Sequence, residues 1–188
     1  MTAVRSGSYP EDAMSSLLFN VSGLLKEEVG ATRDADINDD VPVDGGSRRM
    51  TGHVTMLRTQ PGVLVTAHLR GVEQEQCSRC LRGIEVPLEL SFDEEFFASV
   101  DPRTGAALPP PEDVETFRID GEQMLSLDEA VRQYWTASVP IQPLCRPDCL
   151  GLCPRCGKDL NEGPCDCEPE ADERWAALGE LSSELKGT

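Results

Sequence analysis

Alternation of apolar and polar residues is the strongest pattern in the chain, and it predicts two neighbouring β-strands. A two-residue period runs from residue 50 to 57 and returns from residue 63 to 69, with the sequence TQPG between the two segments. Such a period places the apolar side chains on one face of a strand, and TQPG is typical of a turn. The pattern therefore predicts a β-hairpin with one buried face. The positions on that face are Met50, Gly52, Val54, Met56, Val63, Val65, Ala67 and Leu69.

Three further segments flank this hairpin. Residues 84–92 alternate in the same way and predict a third strand, with Glu85 and Glu89 on its polar face. The apolar run LLFNVSGLL, Leu17 to Leu25, predicts a first strand. The acidic segment from Asp34 to Asp44 predicts a mobile loop.

Helical spacing appears twice in the second half of the chain. Ser126 with Glu129 three residues later predicts a capping box at a helix start, and Pro140 ends that helix. The apolar stripe of this helix is Leu127, Val131, Tyr134 and Trp135. A second, terminal helix is predicted from Trp175, Leu178, Leu181 and Leu185.

These elements predict an α+β fold. Its core is an antiparallel sheet or a partly closed barrel with two helices, followed by a C-terminal, cysteine-rich module that resembles a zinc ribbon. Residues 101–113 are rich in proline and predict a linker, and a short strand is expected from Glu115 to Ile119. We expect a β-rich domain with one helix over residues 1–140, and the zinc-binding module with the terminal helix over residues 141–188.

The overall charge favours basic partners. The chain has 17 basic and 34 acidic residues, a net charge of −17, so most of its surface repels nucleic acid. The first residues contain Glu11 and Asp12 and lack the apolar run of a signal peptide. Since the chain also has no run of ~18 apolar residues, we expect a cytoplasmic protein.

The cysteines are clustered in a way that predicts metal binding. Six of the eight lie within 23 residues, spaced Cys-x3-Cys-x3-Cys-x2-Cys-x8-Cys-x-Cys, and the other two form the CSRC turn of Cys77 and Cys80. In a reducing compartment such clusters are metal sites more often than disulfides. Zn²⁺ prefers four thiolate or imidazole ligands, and a two-residue spacing lets one turn donate two of them. Iron is the main alternative. The six clustered residues are Cys145, Cys149, Cys153, Cys156, Cys165 and Cys167.

Two groupings of these ligands are possible from the sequence. The first is a C-terminal site drawn from Cys149, Cys153, Cys156, Cys165 and Cys167. In the second, Cys77 and Cys80 pair with two members of the cluster. A catalytic cysteine is disfavoured, because His53 and His68 are far from the cluster in sequence.

One stretch departs from the general acidity. Residues 47–82 contain six arginines and only two glutamates, and arginine suits phosphate. Either these arginines form a solvated face paired with acidic neighbours, or they contact RNA. The candidate RNA-binding residues are Arg58, Arg70, Arg79 and Arg82.

Two segments resemble one known family. The segment CSRCLRGIEVPLELSFDEEF and the C-terminal SVPIQPLCRPDCLGLCPRCGKDLNEGPCDC are similar to the signatures of YceD-type large-ribosomal-RNA-subunit accumulation proteins. The resemblance covers about residues 50–185. It implies a role in the synthesis, processing or stability of large-subunit ribosomal RNA, without enzymatic activity or a small-molecule substrate. The implied partners are that RNA or its precursor and a basic zinc-ribbon ribosomal protein.

A different mechanism stays open at this level. A CxC and a CxxC that share a zinc ion resemble a redox-regulated holdase chaperone, which releases its metal on oxidation. In this chain the two motifs occur in the reverse order and closer together. The expectation is thus a non-enzymatic assembly factor with structural zinc, and the alternative is a zinc-thiolate switch or a holdase for a basic protein.

Overall fold

The structure is a computed structural model that describes residues 17–43, 45–109 and 116–167. In these ranges the chain forms seven strands, two α-helices and a 3-10 helix at Leu160–Glu162. The elements are β1 Leu18–Asn20, α1 Ser22–Lys26, β2 Thr32–Val43, β3 Gly46–Arg58, β4 Gly62–Gln76, β5 Gly83–Ala98, β6 Phe117–Ile119, β7 Met124–Ser126 and α2 Asp128–Ser138. No helix within the described ranges is long and apolar enough to cross a membrane.

The described residues belong to two compact units. The first unit contains residues 17–43, 45–75, 83–109 and 116–143, and the second contains residues 76–82 and 144–167. The second unit is therefore discontinuous in sequence. Its first piece is the loop between β4 and β5, which includes Cys77 and Cys80.

The first unit is built on an open sheet with the strand order β2-β3-β4-β5-β6. The pairs β2/β3 and β3/β4 are antiparallel, whereas β6 runs parallel to β5. The predicted hairpin is confirmed as β3 and β4, with Arg58 opposite Val63, and the predicted third strand is confirmed as β5. Of the two predicted forms, the structure has the sheet, because β2 and β6 are edges and do not close it into a barrel.

The segment Leu17–Leu25 is not one strand, so this prediction was wrong. It forms β1, which pairs with β7, and then α1. The Asn20 side chain accepts hydrogen bonds from the Ser22 amide at 3.1 Å and the Ser22 hydroxyl at 2.6 Å. Such local bonds compete with a strand ladder and turn the chain. The helix α1 then buries Leu24 and Leu25.

The acidic segment Asp34–Asp44 was predicted as a loop, but residues 34–43 of it lie in the long strand β2. Ile37 and Val41 are buried on one face, and Asp34, Asp36 and Asp40 project from the other. Cross-strand partners hydrogen-bond these carboxylates, since the Thr55 hydroxyl donates to Asp34 at 2.7 Å. The acidic composition concealed a two-residue period that the core requires.

The helix α2 begins later than predicted and without the capping box. Ser126 ends β7, and the residue before the helix makes no side-chain capping bond. Glu129 instead accepts from Arg132 at 2.6 Å on the helix surface. The helix buries Ala130, Val131 and Trp135 against the core of the first unit, as its apolar stripe requires.

Two other predictions fall partly or wholly outside the described residues. The short strand is present as β6, from Phe117 to Ile119, whereas Glu115 is not described. The terminal helix expected over residues 175–185 lies outside the described ranges.

Candidate metal centres

The eight cysteines lie in two groups of four, both in the second unit. Centre A consists of Cys77, Cys80, Cys145 and Cys149, and centre B consists of Cys153, Cys156, Cys165 and Cys167. Within each group the four sulfur atoms all lie within 4.8 Å of one another. All eight thiols are free.

The spacing of the sulfurs in centre A fits a tetrahedral metal ion. Four sulfurs at about 2.3 Å from zinc lie about 3.8 Å from each other. The Cys77 and Cys149 sulfurs are 3.8 Å apart, and those of Cys80 and Cys145 are 3.7 Å apart. A disulfide needs sulfurs at about 2.05 Å. The geometry therefore suits a shared ion and does not suit a covalent pair.

The β4–β5 loop supplies the first two sulfurs of centre A through a tight turn. The Leu81 amide donates to the Cys77 carbonyl at 2.9 Å, and the Cys77 amide donates to the Arg82 carbonyl at 2.8 Å. Leu81 adopts a left-handed conformation, with φ of 58°. This turn places Cys77 and Cys80 on the same side of the backbone, as a two-ligand knuckle requires.

Centre B contains a turn with the same hydrogen bonds. The Gly157 amide donates to the Cys153 carbonyl at 2.9 Å, and the Cys153 amide donates to the Lys158 carbonyl at 2.8 Å. Gly157 has φ of 71°, which glycine adopts without strain. The segments 77–82 and 153–158 are thus two copies of one local structure, each holding a Cys-x2-Cys pair.

Backbone amides make one thiol of each centre acidic. The amides of Cys80 and Cys145 donate toward the Cys77 sulfur and lower its pKa to about 6. In centre B the amide of Cys156 acts in the same way and lowers the pKa of Cys153 to about 6. Each centre therefore has a sulfur ready to bind a cation as thiolate near neutral pH.

Other thiols in the same centres resist ionisation. Burial, followed by the nearby sulfurs of Cys149 and Cys80, raises the pKa of Cys145 to about 12. The sulfur of Cys156, followed by burial, raises the pKa of Cys167 to about 12. Four thiolates this close repel one another unless a cation compensates their charge. A divalent ion provides that charge and lets all four sulfurs bind as thiolates.

The cysteines also take the place of a hydrophobic core in this unit. Among residues 144–167 the buried ones are Cys149, Gly151 and Cys153. Leu150 is exposed, and the other leucines of the segment are partly exposed. So few buried apolar groups cannot offset the loss of chain entropy on folding. The arrangement is typical of a module whose folding depends on metal.

The two groupings considered from the sequence are combined in the structure. Four of the five C-terminal candidates make up centre B, whereas Cys149 lies in centre A. Cys77 and Cys80 meet two members of the cluster, Cys145 and Cys149, as in the second grouping.

The four candidate RNA-binding arginines differ in their surroundings. Arg58 is engaged by backbone carbonyls, since it donates to Leu25 at 3.2 Å, to Gly62 at 2.9 Å and to Thr59. Arg79 donates to the Cys149 carbonyl at 2.7 Å. Both side chains therefore hold the chain in place.

The other two arginines are exposed to solvent. The Arg70 side chain is 75% exposed and forms an ion pair with Glu89 at 3.2 Å. The Arg82 side chain is 61% exposed and lies 3.4 Å from Asp159. Exposed ion pairs of this kind are weak, so the guanidinium N–H groups of these arginines stay available to another acceptor. Arg79 is exposed as well, but its guanidinium already donates to the Cys149 carbonyl, so Arg70 and Arg82 are the two candidates most available to a phosphate group.

Sequence reasoning did not identify Asn161. Its side-chain amide nitrogen lies 3.4 Å from the Cys149 sulfur in centre A. The only local signal was the order Asp-Leu-Asn between Cys156 and Cys165, which favours a turn.

Fold and site together define a β-rich protein with a cysteine-rich module that can hold two metal ions. The chain belongs to the family described as large ribosomal RNA subunit accumulation protein YceD, whose model matches residues 65–182. That range is more than half of the chain and includes all eight cysteines.

Comparison with curated proteins gives distant relatives. A protein of Mycobacterium tuberculosis is 33% identical over 120 residues, which cover 64% of this chain and 56% of the relative. A Mycobacterium leprae protein is 26% identical over 119 residues, covering 63% of this chain and 52% of the relative. This chain thus spans about half the length of these relatives.

A plant protein supports the same family. The chloroplastic YCED homolog 1 of Arabidopsis thaliana, named a large ribosomal RNA subunit accumulation protein, is 29% identical over 63 residues. The match covers 33% of this chain and 20% of the plant protein. No solved structure matches the chain significantly.

Proposed function

We propose that this protein is a non-enzymatic assembly factor that supports the accumulation of large-subunit ribosomal RNA. The observation that carries the proposal is the family match over residues 65–182, which includes both cysteine groups. The family's description names large ribosomal RNA subunit accumulation. We place this role at the processing or stability of the RNA precursor. We also place it in the cytoplasm, where thiols stay reduced.

The proposal includes one structural zinc ion in each centre. Four thiolates in a tetrahedron are the donor set that zinc prefers in structural sites, and no position is left for a substrate. When bound, zinc provides an apparent stabilisation of about 10–16 kcal/mol in small modules. The chain's own residues position the ligands through the two knuckle turns, and the amides of Cys80 and Cys156 favour the thiolate form.

The partners follow from charge. A net charge of −17 favours a basic protein bound to the RNA over broad contact with RNA itself. Local RNA contact is assigned to Arg70 and Arg82, because their guanidinium groups are exposed.

The test is a complementation experiment in the source organism. The protein is depleted, and the ratio of large- to small-subunit ribosomal RNA is measured after expression of wild-type or variant chains. We expect the ratio to fall on depletion and to be restored by the wild type. The variant Cys77→Ser/Cys80→Ser should fail to restore it, because centre A loses two ligands. An unchanged ratio on depletion would overturn the proposed function.

A charge-reversal pair separates RNA contact from bulk charge. Arg70→Glu/Arg82→Glu should restore less RNA than the wild type. The matched control is Lys26→Glu/Arg103→Glu, which makes the same charge change at other exposed positions. If the two double variants restore the RNA equally, contact between these arginines and RNA is excluded. Action through a basic protein would then be the mechanism.

The exposure of Cys156 favours a second candidate, a thiol switch. In that mechanism peroxide takes two electrons from two thiolates of centre B and is reduced to water. A disulfide forms, and the metal is released. Zinc that remains fully bound after mild peroxide treatment would eliminate this candidate.

A further inference from the structure

The loop of centre B provides a hydrogen bond to a sulfur of centre A. Asn161 lies between Cys156 and Cys165, which both belong to centre B. Its Nδ2 group lies 3.4 Å from the Cys149 sulfur of centre A and donates to it. An N–H donor of this kind stabilises a thiolate. The two centres therefore share a contact that passes through one side chain.

The Asn161 side chain is fully occupied and has a single orientation. Its Oδ1 atom accepts from the Leu150 amide at 2.9 Å and from Arg146 at 2.8 Å. Its Nδ2 group also donates to Asp159 at 2.6 Å. With two bonds accepted and two donated, all four hydrogen-bonding positions of the amide are used. A flipped amide would break this set.

The 3-10 helix fixes the backbone of Asn161. Asp159 precedes this helix, and its carboxylate accepts from the Asn161 amide at 2.9 Å. The Leu160 amide donates to the Gly151 carbonyl at 2.9 Å. Arg82, the last residue of the turn 77–82, lies 3.4 Å from the Asp159 carboxylate. The position of Asn161 thus depends on the loop that centre B closes.

A backbone contact links the two knuckles directly. The Leu152 amide donates to the Arg79 carbonyl at 3.1 Å. Arg79 lies inside the Cys-x2-Cys pair of centre A, and Leu152 immediately precedes Cys153 of centre B. If one turn becomes disordered, this hydrogen bond is lost, and the other turn is therefore affected as well.

We propose that the two centres bind metal cooperatively and that Asn161 is the positioning residue that couples them. The proposal rests on the metal-binding role of the centres proposed above. Metal in centre B closes the loop and fixes Asn161, which then stabilises the Cys149 thiolate for metal in centre A. Because coupling free energy is reciprocal, metal in centre A strengthens binding in centre B by the same factor.

The size of the effect follows from outer-shell ligands in other metal sites, whose loss costs about 10–100-fold in affinity. The variant Asn161→Asp keeps the shape and the accepting oxygen but replaces the donor with a carboxylate oxygen. It is therefore expected to weaken centre A by at least this factor. Asn161→Ala removes the whole side chain and provides an independent variant.

The experiment is a double-mutant cycle on the full chain with Zn²⁺ as the probe. Free Zn²⁺ is set with chelator buffers, and the occupancy of each centre is read by peptide-resolved alkylation of Cys77 and Cys153. Native mass spectrometry counts the ions bound. The four chains are the wild type, Asn161→Asp, Cys165→Ser/Cys167→Ser, and the combination of these changes. Lys158→Met is the matched control, since Lys158 donates within the same loop to Pro164 at 2.7 Å.

In the wild-type background, loss of centre B should lower the zinc affinity of centre A about 10–100-fold. In the Asn161→Asp background the same loss should change it by a smaller factor, because the part of the coupling that passes through Asn161 is absent and only the backbone bond between Leu152 and Arg79 remains. Lys158→Met should behave as the wild type. Additive effects of the two changes would overturn coupling through Asn161 while leaving both zinc sites in place. A wild-type chain that binds no zinc would overturn the metal sites themselves.

Discussion

The Trp135 indole donates a 2.7 Å hydrogen bond to the carboxylate of Glu73, the one charged residue buried among those described. The other carboxylate oxygen accepts from Arg48 at 2.7 Å and from the Gln74 amide at 2.9 Å. An unpaired buried charge is costly, and these donors remove that cost. The bond links helix α2 to strand β4 through a polar contact in the core.

Replacing Glu73 with Gln should lower the free energy of unfolding by about 1–3 kcal/mol. The Gln amide nitrogen must then face either the Arg48 guanidinium or the Trp135 indole, and all of these groups are donors. Urea denaturation followed by Trp fluorescence measures the change. Glu89→Gln is the control, because Glu89 is exposed, and it should change stability by less than about 0.5 kcal/mol. Equal effects of the two variants would contradict this role of Glu73.

The same carboxylate predicts a loss of stability in acid. Burial raises the Glu73 pKa, but the bonds from Arg48, Trp135 and Gln74 outweigh it and hold the pKa below its ordinary value. A group with a lowered pKa stabilises the folded state above its unfolded pKa, and this contribution is lost as pH falls through the folded pKa. Wild type should therefore lose more stability below about pH 4.5 than Glu73→Gln does. Parallel pH profiles of the two chains would contradict this.

Removal of metal should unfold residues 144–167. The buried residues of that segment are two cysteines and one glycine, so within the described part of the chain it has no apolar core that could replace the metal. We expect a strong zinc chelator to collapse the amide NMR signals of this segment, while signals from β3 and β4 keep their dispersion. Dispersed signals from residues 149–153 in metal-free protein would show that the segment folds without an ion.

His53 should titrate above its ordinary range. The hydrogen bond that the His53 Nδ1 group donates to the Asp36 carboxylate at 2.9 Å raises the His53 pKa, and Asp34 adds to the effect. A raised pKa stabilises the folded state at low pH, and this contribution is lost as pH rises through the folded pKa. Asp36→Asn should therefore lower the His53 pKa in an NMR titration. A His53 pKa that is unchanged in this variant would contradict the assignment.

Arg58 and Arg70 should behave differently although both lie in the arginine-rich stretch. Arg58→Ala leaves the carbonyls of Leu25 and Gly62 without this donor and should lower stability by about 1–3 kcal/mol. Arg70→Ala removes an exposed ion pair and should cost less than about 1 kcal/mol. Thermal denaturation compares the two. A larger loss for Arg70→Ala would reverse this interpretation.

The sequence alone predicted the strands that have regular alternation, because a two-residue period is a local property of the chain. It failed where local chemistry conflicted with the core. Asn20 turns the chain through a bond to Ser22, and the aspartates of β2 concealed the buried Ile37 and Val41. In the first case a local side-chain bond overrode the apolar run, and in the second the burial of Ile37 and Val41 overrode the acidic composition.

By itself, the sequence determined that the chain has two Cys-x2-Cys turns, since each turn is closed by its own backbone. Only the tertiary structure decided how the eight cysteines divide, because Cys77 and Cys149 are 72 positions apart and no local pattern links them. It also decided that Arg58 binds carbonyls while Arg70 faces solvent. Residue type sets which chemistry is available, whereas long-range packing sets which groups meet.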